Sequence, residues 1–109
     1  MELKYKEDFF IKKVKTALKN GDNILIEFHG RDAISIAKKV PLLLAIEESH
    51  YNKQKAPKSS DLQLLVGFFL LVFRFAHFMF TFIWALSDGR KMRVQIHTND
   101  FLVIAFEKK

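Results

Sequence analysis

The fold of this chain is decided by residues 24–45, which read ILIEFHGRDAISIAKKVPLLLA. Ile24, Ile26 and Phe28 occupy alternate positions at the start of this stretch. Such alternation is typical of a half-buried β-strand, whose successive side chains point to opposite faces. The stretch therefore predicts a strand over Ile24–Phe28 that ends before the glycine at position 30.

A helix is predicted directly after this strand. Gly30 and Arg31 break the alternation, and Asp32 is placed to cap a helix through its side-chain oxygen. Apolar residues then recur at helical spacing, at positions 33, 37, 40 and 44. Pro41 predicts a kink or an early stop in this helix. A helix N-terminus suits a phosphate, so the Gly30–Arg31 turn is either an ordinary strand–helix connection or a phosphate contact.

The GRDAIS turn at residues 30–35 resembles the Gly-Arg-Ala-Ile-Ser signature of the Alba family, with one aspartate inserted. An amphipathic helix ending in the NG pair at 20–21, and the DGRK segment at 88–91 before a strand, occur in similar order in that family. The resemblance covers residues 1–47 and 88–109. It implies a small α/β (α+β) domain of β-α-β-α-β-β order, often dimeric, that binds DNA or RNA without catalysis.

The resemblance also implies particular contacts. In the Alba family, lysines just before and at the start of the first helix touch the nucleic-acid backbone. Lys4 is the nearest match in this sequence, and Lys6 lies close by. Ile36 stands where the family usually has lysine, and residues 53–87 match nothing in the family pattern.

Composition restricts the class of protein. A chain of 109 residues supports one domain, residues 1–109, with one modest core. It has no cysteine, which excludes a disulfide framework, a thiolate metal site and a cysteine nucleophile. A formal net charge of +6 and a pI near 9.7 indicate an anionic partner, either nucleic acid or an acidic membrane surface. Met1–Lys19 lacks the apolar run of a signal peptide.

The first fifty-two residues form a predicted β-α-β-α half. Residues 1–7 could supply a short edge strand, and Asp8 is a candidate N-cap. Phe10, Val14, Ala17 and Leu18 then make one apolar helical face, which the NG pair at 20–21 should end. Lysines share another face of this helix; they are either a solvated surface or a phosphate-contacting one.

Residues 53–61 read as an exposed linker, and Leu62–Leu86 is an unusually apolar segment. The segment is long enough to span a bilayer as a helix. Alternatively, the aromatic residues between Phe78 and Trp84 alternate as they would on a buried strand. A membrane span would place Ile24–Phe28 and the chain after the span on opposite sides of a bilayer, where they cannot share a sheet.

The chain after the apolar segment predicts a β-hairpin within residues 88–109. Met92, Val94 and Ile96 alternate with polar residues, and a second alternating run follows the turn at positions 98–100. Arg90, Lys91 and Arg93 make a basic cluster at its start, which is either a hairpin rim or a phosphate-binding surface.

These observations favour a non-enzymatic, Alba-like protein that binds DNA or RNA through phosphate contacts with little sequence specificity. The alternatives are a single-pass membrane protein spanned by Leu62–Leu86, or an oligomerisation module. We expect no catalytic residues, metal or cofactor, a homo- or heterodimer, and a nuclear or cytoplasmic location, with a membrane as the alternative. The candidate contact residues are Lys4, Lys6, Lys12, Lys13, Gly30, Arg31, Lys38, Arg90, Lys91 and Arg93.

Overall fold

A computed structural model describes residues 1–51, 67, 69 and 73–107, with the backbone alone at 49–51. The described strands are β1 (Glu2–Lys4), β2 (Ile24–His29), β3 (Met92–Thr98) and β4 (Phe101–Phe106). The described helices are α1 (Phe10–Asn20), α2 (Gly30–Tyr51) and α3 (Ala76–Ser87). The protein is therefore a small α+β domain, as predicted.

The four strands form one mixed sheet in the order β1-β2-β4-β3. β1 runs parallel to β2, with Leu3 opposite Ile26. β4 is antiparallel to both of its neighbours, and Ile104 lies opposite Ile26 on one side and Val94 on the other. The predicted strand in residues 24–28 and the predicted C-terminal hairpin are confirmed, and they belong to the same sheet.

One face of this sheet, called here the helix face, carries the core. Ile24, Ile26 and Phe28 project from it and are fully buried, in agreement with the alternation in the sequence. Buried residues of α1, α2 and α3 belong to the same apolar cluster, so all three helices pack on this face. Fully burying a side chain of this size contributes about 1.5–3 kcal/mol. The opposite face, called the open face, carries Glu27 and His29.

The α1 helix ends as predicted but begins differently. Gly21 adopts a left-handed conformation (φ 72°) and donates its N–H to the Leu18 carbonyl, while the next N–H in the chain bonds to Ala17. This pair of bonds satisfies carbonyls that the helix end would leave unpaired. The prediction of an Asp8 cap is wrong, because Phe9 occupies the N-cap and makes no side-chain bond to the helix.

The α2 helix begins earlier and ends later than the sequence indicates. Its first residue is Gly30, so Asp32 lies in the first turn rather than at the cap. It continues past Pro41 for 22 residues in total, so the predicted early stop does not occur. Glu47, near its end, accepts a hydrogen bond from the Met92 N–H at the start of β3.

The end of the apolar segment is helical, so of the two alternatives predicted for it the helix is confirmed here and the strand through residues 78–84 is wrong. Phe78, Phe82 and Ala85 recur at helical spacing and are fully buried against the sheet. The Phe78 ring packs edge-on against Phe28 of β2, with centroids 5.3 Å apart. Burial of this helical row beneath the sheet outweighs the preference of phenylalanine for strands.

Residues 67, 69, 73 and 74 are also helical. The linker prediction for residues 53–61, and most of the chain from 62 to 72, lie outside the described residues. Among the residues that are described, no helix combines the length and the apolar character needed to cross a membrane.

Candidate nucleic-acid interface

The fold divides the predicted contact residues between two ends of the sheet. At the end called here the upper end, β1 and β2 finish, α1 and α2 begin, and the β3–β4 turn closes. The Gly30 N–H donates to the Asp100 carbonyl across this end, at 2.8 Å. At the lower end β2 and β3 begin. A six-residue strand separates the two ends by roughly 20 Å.

The upper end places Arg31 at the same end of the sheet as lysines from the first thirteen residues. Lys4 is the last residue of β1, and Lys6 follows it in a left-handed conformation with φ 66°. Both side chains are exposed. The Lys6 Nζ lies 5.4 Å from the centroid of the Tyr5 ring, which holds the ammonium group over an aromatic face.

Gly30 and Arg31 begin α2 at the same end. Gly30 has φ 59°, and a Cβ at this position would meet no atom within 4 Å. Glycine is therefore needed for its backbone conformation and not for space. Its N–H is already bonded to Asp100, so the predicted phosphate contact through this N–H is not available in the folded chain. Arg31 is exposed, and it forms no ion pair with any other described residue.

Two lysines of α1 complete the cations of the upper end. Lys12 and Lys13 lie in the first turn of α1, and both are exposed. The Lys13 Nζ lies 3.4 Å from Glu7 Oε2, while Glu7 Oε1 accepts the Lys4 backbone N–H at 3.2 Å. An exposed ion pair of this kind contributes about 0–1 kcal/mol, so a phosphate can replace it at little cost.

Carboxylates are present at the upper end, and most are engaged by neighbours. Glu27 Oε2 lies 3.3 Å from His29 Nε2, and Asp100 accepts a bond from the Thr98 hydroxyl at 3.0 Å. The surface is therefore of mixed charge, with its cations on exposed side chains and its acids largely bonded.

Tyr5 lies at the same end of the sheet. Burial, with a smaller contribution from the charge of Asp32, raises the pKa of Tyr5 to about 12.

The position of Arg90 at the lower end shows that its prediction as a nucleic-acid contact residue is wrong. Its side chain is only 1 % exposed, its Nε donates to Asp88 Oδ2 at 3.0 Å, and its NH1 group donates to the Asp22 carbonyl. It therefore ties the start of the hairpin to the connection between α1 and β2. A guanidinium in this position cannot contribute to an exposed binding surface.

The other lower-end cations are exposed. Lys91 precedes β3, and Arg93 within it pairs with Glu107 at 2.7 Å. Lys38 is exposed on the third turn of α2, roughly 12 Å along the helix from Gly30, and belongs to neither end. Within the described residues, no group of three or more histidine or acidic side chains is placed to hold a metal ion.

One feature of the upper end is absent from the sequence-based predictions. The rings of His29, Phe101 and His97 follow one another across β2, β4 and β3 on the open face, with the planes of His29 and His97 inclined to that of Phe101 by 61° and 50°, and we call them the aromatic row. The ring centroids are 4.5 Å apart for His29 and Phe101, and 5.0 Å for His97 and Phe101. The register of β3 and β4 shifts between Ile96 and Thr98, and Thr98 pairs with Phe101. Alternation in the sequence already places His97 and Phe101 on one side of the hairpin, but it does not show that β4 lies between β3 and β2, which brings His29 into the row.

Comparisons with protein-family models, with characterised proteins and with solved structures find no match to this chain.

Proposed function

We propose that this protein binds DNA or RNA without catalysis, in the manner of Alba-like proteins, and contacts phosphates mainly through the upper end of its sheet. The observation that carries the proposal is the convergence of four exposed cations, Lys4, Lys6, Lys13 and Arg31, with the N-termini of α1 and α2. Cations that are distant in the sequence share one end of the molecule, where two helix dipoles add partial positive charge.

The chemistry of these residues fits a phosphate backbone. Lysine offers a mobile point charge, and the planar arginine fork matches two phosphate oxygens. Contacts to phosphate position a protein on nucleic acid but carry no sequence information. We therefore assign the protein weak sequence specificity. Lys12 adds a further cation at the upper end, Lys38, Lys91 and Arg93 extend the contact surface away from it, and Arg90 is left out because it is buried.

The Alba-like part of the proposal is supported by element order. Without α3, the described elements follow the β-α-β-α-β-β order that the sequence resemblance implies. One difference is informative: Ile36, which stands where that family usually has lysine, is fully buried in the core. Any contact made through that position in the family is replaced here by packing.

A salt titration tests the proposed function. Because each phosphate contact releases counterions, affinity for a labelled duplex DNA and a single-stranded RNA should fall steeply as salt increases. Fluorescence anisotropy at two salt concentrations measures this dependence. Binding that is absent at low salt, or that is indifferent to salt, contradicts the proposal.

A second candidate function, self-association, is favoured by exposed aromatic residues near α3. Phe73 is 93 % exposed and Phe80 is 51 % exposed, and large exposed apolar side chains in one region mark association surfaces. Replacing both by aspartate should convert an oligomer into a monomer without loss of folding, as measured by light scattering during gel filtration. An unchanged mass for the variant removes this function.

A further inference from the structure

The open face of the sheet carries exposed rings that the phosphate contacts of the proposed function do not use. The three described helices pack on the opposite face, so no described helix covers the aromatic row. His29 and His97 are exposed, with the His29 side chain 52 % exposed, and Phe101 between them is half-buried. Two strand spacings make the row about 10 Å wide.

We propose that the aromatic row is a stacking platform for unpaired bases, so that single-stranded nucleic acid is the preferred ligand. This inference rests on the proposed function and names its substrate class. Rings of phenylalanine and histidine are surfaces on which splayed bases stack, whereas a duplex keeps its base faces buried inside the helix. The aromatic row therefore distinguishes single-stranded from double-stranded nucleic acid, because only a single strand exposes its base faces. It does not distinguish one base from another.

The cations of the upper end lie where the backbone of such a strand would pass. Arg31 follows His29 by two residues, and Lys4 lies beside Glu27 in the register of β1 and β2. The two carboxylates nearest the row, Glu27 and Asp100, are hydrogen-bonded to His29 and Thr98. Positive side chains thus border the rings on the side of β1 and α2, which is the charge arrangement that a stacked, anionic strand requires.

Replacing Phe101 by leucine tests the platform, because the change removes the ring and keeps an apolar side chain in β4. We expect Phe101→Leu to weaken binding of a fluorescein-labelled single-stranded RNA by about tenfold, while affinity for the matching duplex stays within about twofold. The salt dependence should not change, because no phosphate contact is lost. Phe69→Leu, at an exposed phenylalanine in the helical chain before α3, is the matched control and should bind like the wild type.

A second variant keeps the test decisive if Phe101→Leu folds poorly. Phe101→Trp retains a ring and should hold single-strand affinity near the wild-type value. Its indole fluorescence should be quenched by unlabelled poly-uridine, and the wild-type protein, whose single tryptophan is Trp84 in α3, supplies the background.

The outcomes separate the two proposals. If the wild type shows salt-dependent binding, but Phe101→Leu binds single strands equally well and the Phe101→Trp indole is not quenched, the platform is overturned and the proposed function stands. If the wild type binds neither RNA nor DNA, both fail. If Phe101→Leu changes the mass of the protein in solution and not its RNA affinity, the row contacts a second copy of the chain, and the platform is again overturned.

Discussion

The two ends of the sheet show how differently one fold can use positive charge. At the upper end, Lys4 and Lys6 come from the start of the sequence and Arg31 from a separate element, yet all three lie at the same end of the sheet and are exposed. At the lower end, Arg90 and Arg93 are near neighbours in the sequence, yet one is buried and the other is exposed. A cluster of cations in a sequence therefore does not by itself indicate a binding surface.

The physical reason lies in the hydrogen-bonding capacity of arginine. Its guanidinium carries five N–H donors, so one side chain can bond a carboxylate and a backbone carbonyl at once. Arg90 does this with Asp88 and the Asp22 carbonyl. It therefore joins the α3–β3 connection to the α1–β2 connection, whose strands β2 and β3 do not pair with each other. Structural use of the side chain leaves no donor exposed for a phosphate.

The largest effect that separates the two ends is expected on stability. Arg90→Ala should lower the free energy of unfolding by about 3 kcal/mol, because it removes charged hydrogen bonds and leaves a buried space. Urea denaturation followed by circular dichroism measures the loss. Lys91→Ala, one residue away and exposed, is the control and should stay within about 0.5 kcal/mol of the wild type. An Arg90→Ala protein with wild-type stability and weakened nucleic-acid binding would reverse our assignment.

A smaller effect, on affinity, should distinguish the exposed arginines. Arg31→Ala should weaken binding by about threefold to tenfold at low salt, uniformly across sequences, and should reduce the slope of log affinity against log salt by about 1. Arg93→Ala should have a smaller effect, because Arg93 lies at the lower end and already pairs with Glu107. Anisotropy titrations of both variants make the comparison. Equal losses would mean that binding does not favour the upper end.

The third effect is confined to alkaline pH and reports on packing at the upper end. The folded chain raises the pKa of Tyr5 from 10.0 to about 12, first through burial and then through the charge of Asp32. Between these values the unfolded chain loses the phenolic proton before the folded chain does, so stability should fall as the pH rises through this window.

The Tyr5→Phe variant isolates this contribution from the titration of the lysines. As the pH rises from about 10 to about 12, the free energy of unfolding of the wild type should fall relative to that of the variant. Urea denaturation of both proteins at several pH values measures it. A difference that stays constant over the window would show that Tyr5 ionises equally well in the folded chain.

The sheet was largely predictable, because alternation of apolar side chains is a local signal. Ile24, Ile26 and Phe28 show it in β2, and Met92 and Val94 show it in β3. The end of α1 was predictable for a similar reason, since the apolar face of the helix stops at an Asn-Gly pair, and glycine readily adopts the left-handed conformation that commonly ends a helix.

The rest depended on contacts between distant residues. Local sequence left both a helix and a strand open at Phe78; it packs against Phe28, fifty residues earlier, and this burial favours the helix. Pro41 tends to stop helices, but α2 continues through it because Ile36 before it and Leu43 after it are both buried in the core. The burial of Arg90 required the position of Asp22, which the sequence around the hairpin does not reveal.

The position of β4 has a consequence for how the protein is made. β4 is the final described strand in the chain, yet it lies between β2 and β3 in the middle of the sheet. During synthesis, β2 therefore leaves the ribosome with β1 available on one edge, while its partner on the other edge, β4, is made much later. The sheet is complete only when β4 pairs with β2, a contact between residues as far apart in the sequence as Ile24 and Phe106, and pairings this distant are the ones that form slowly.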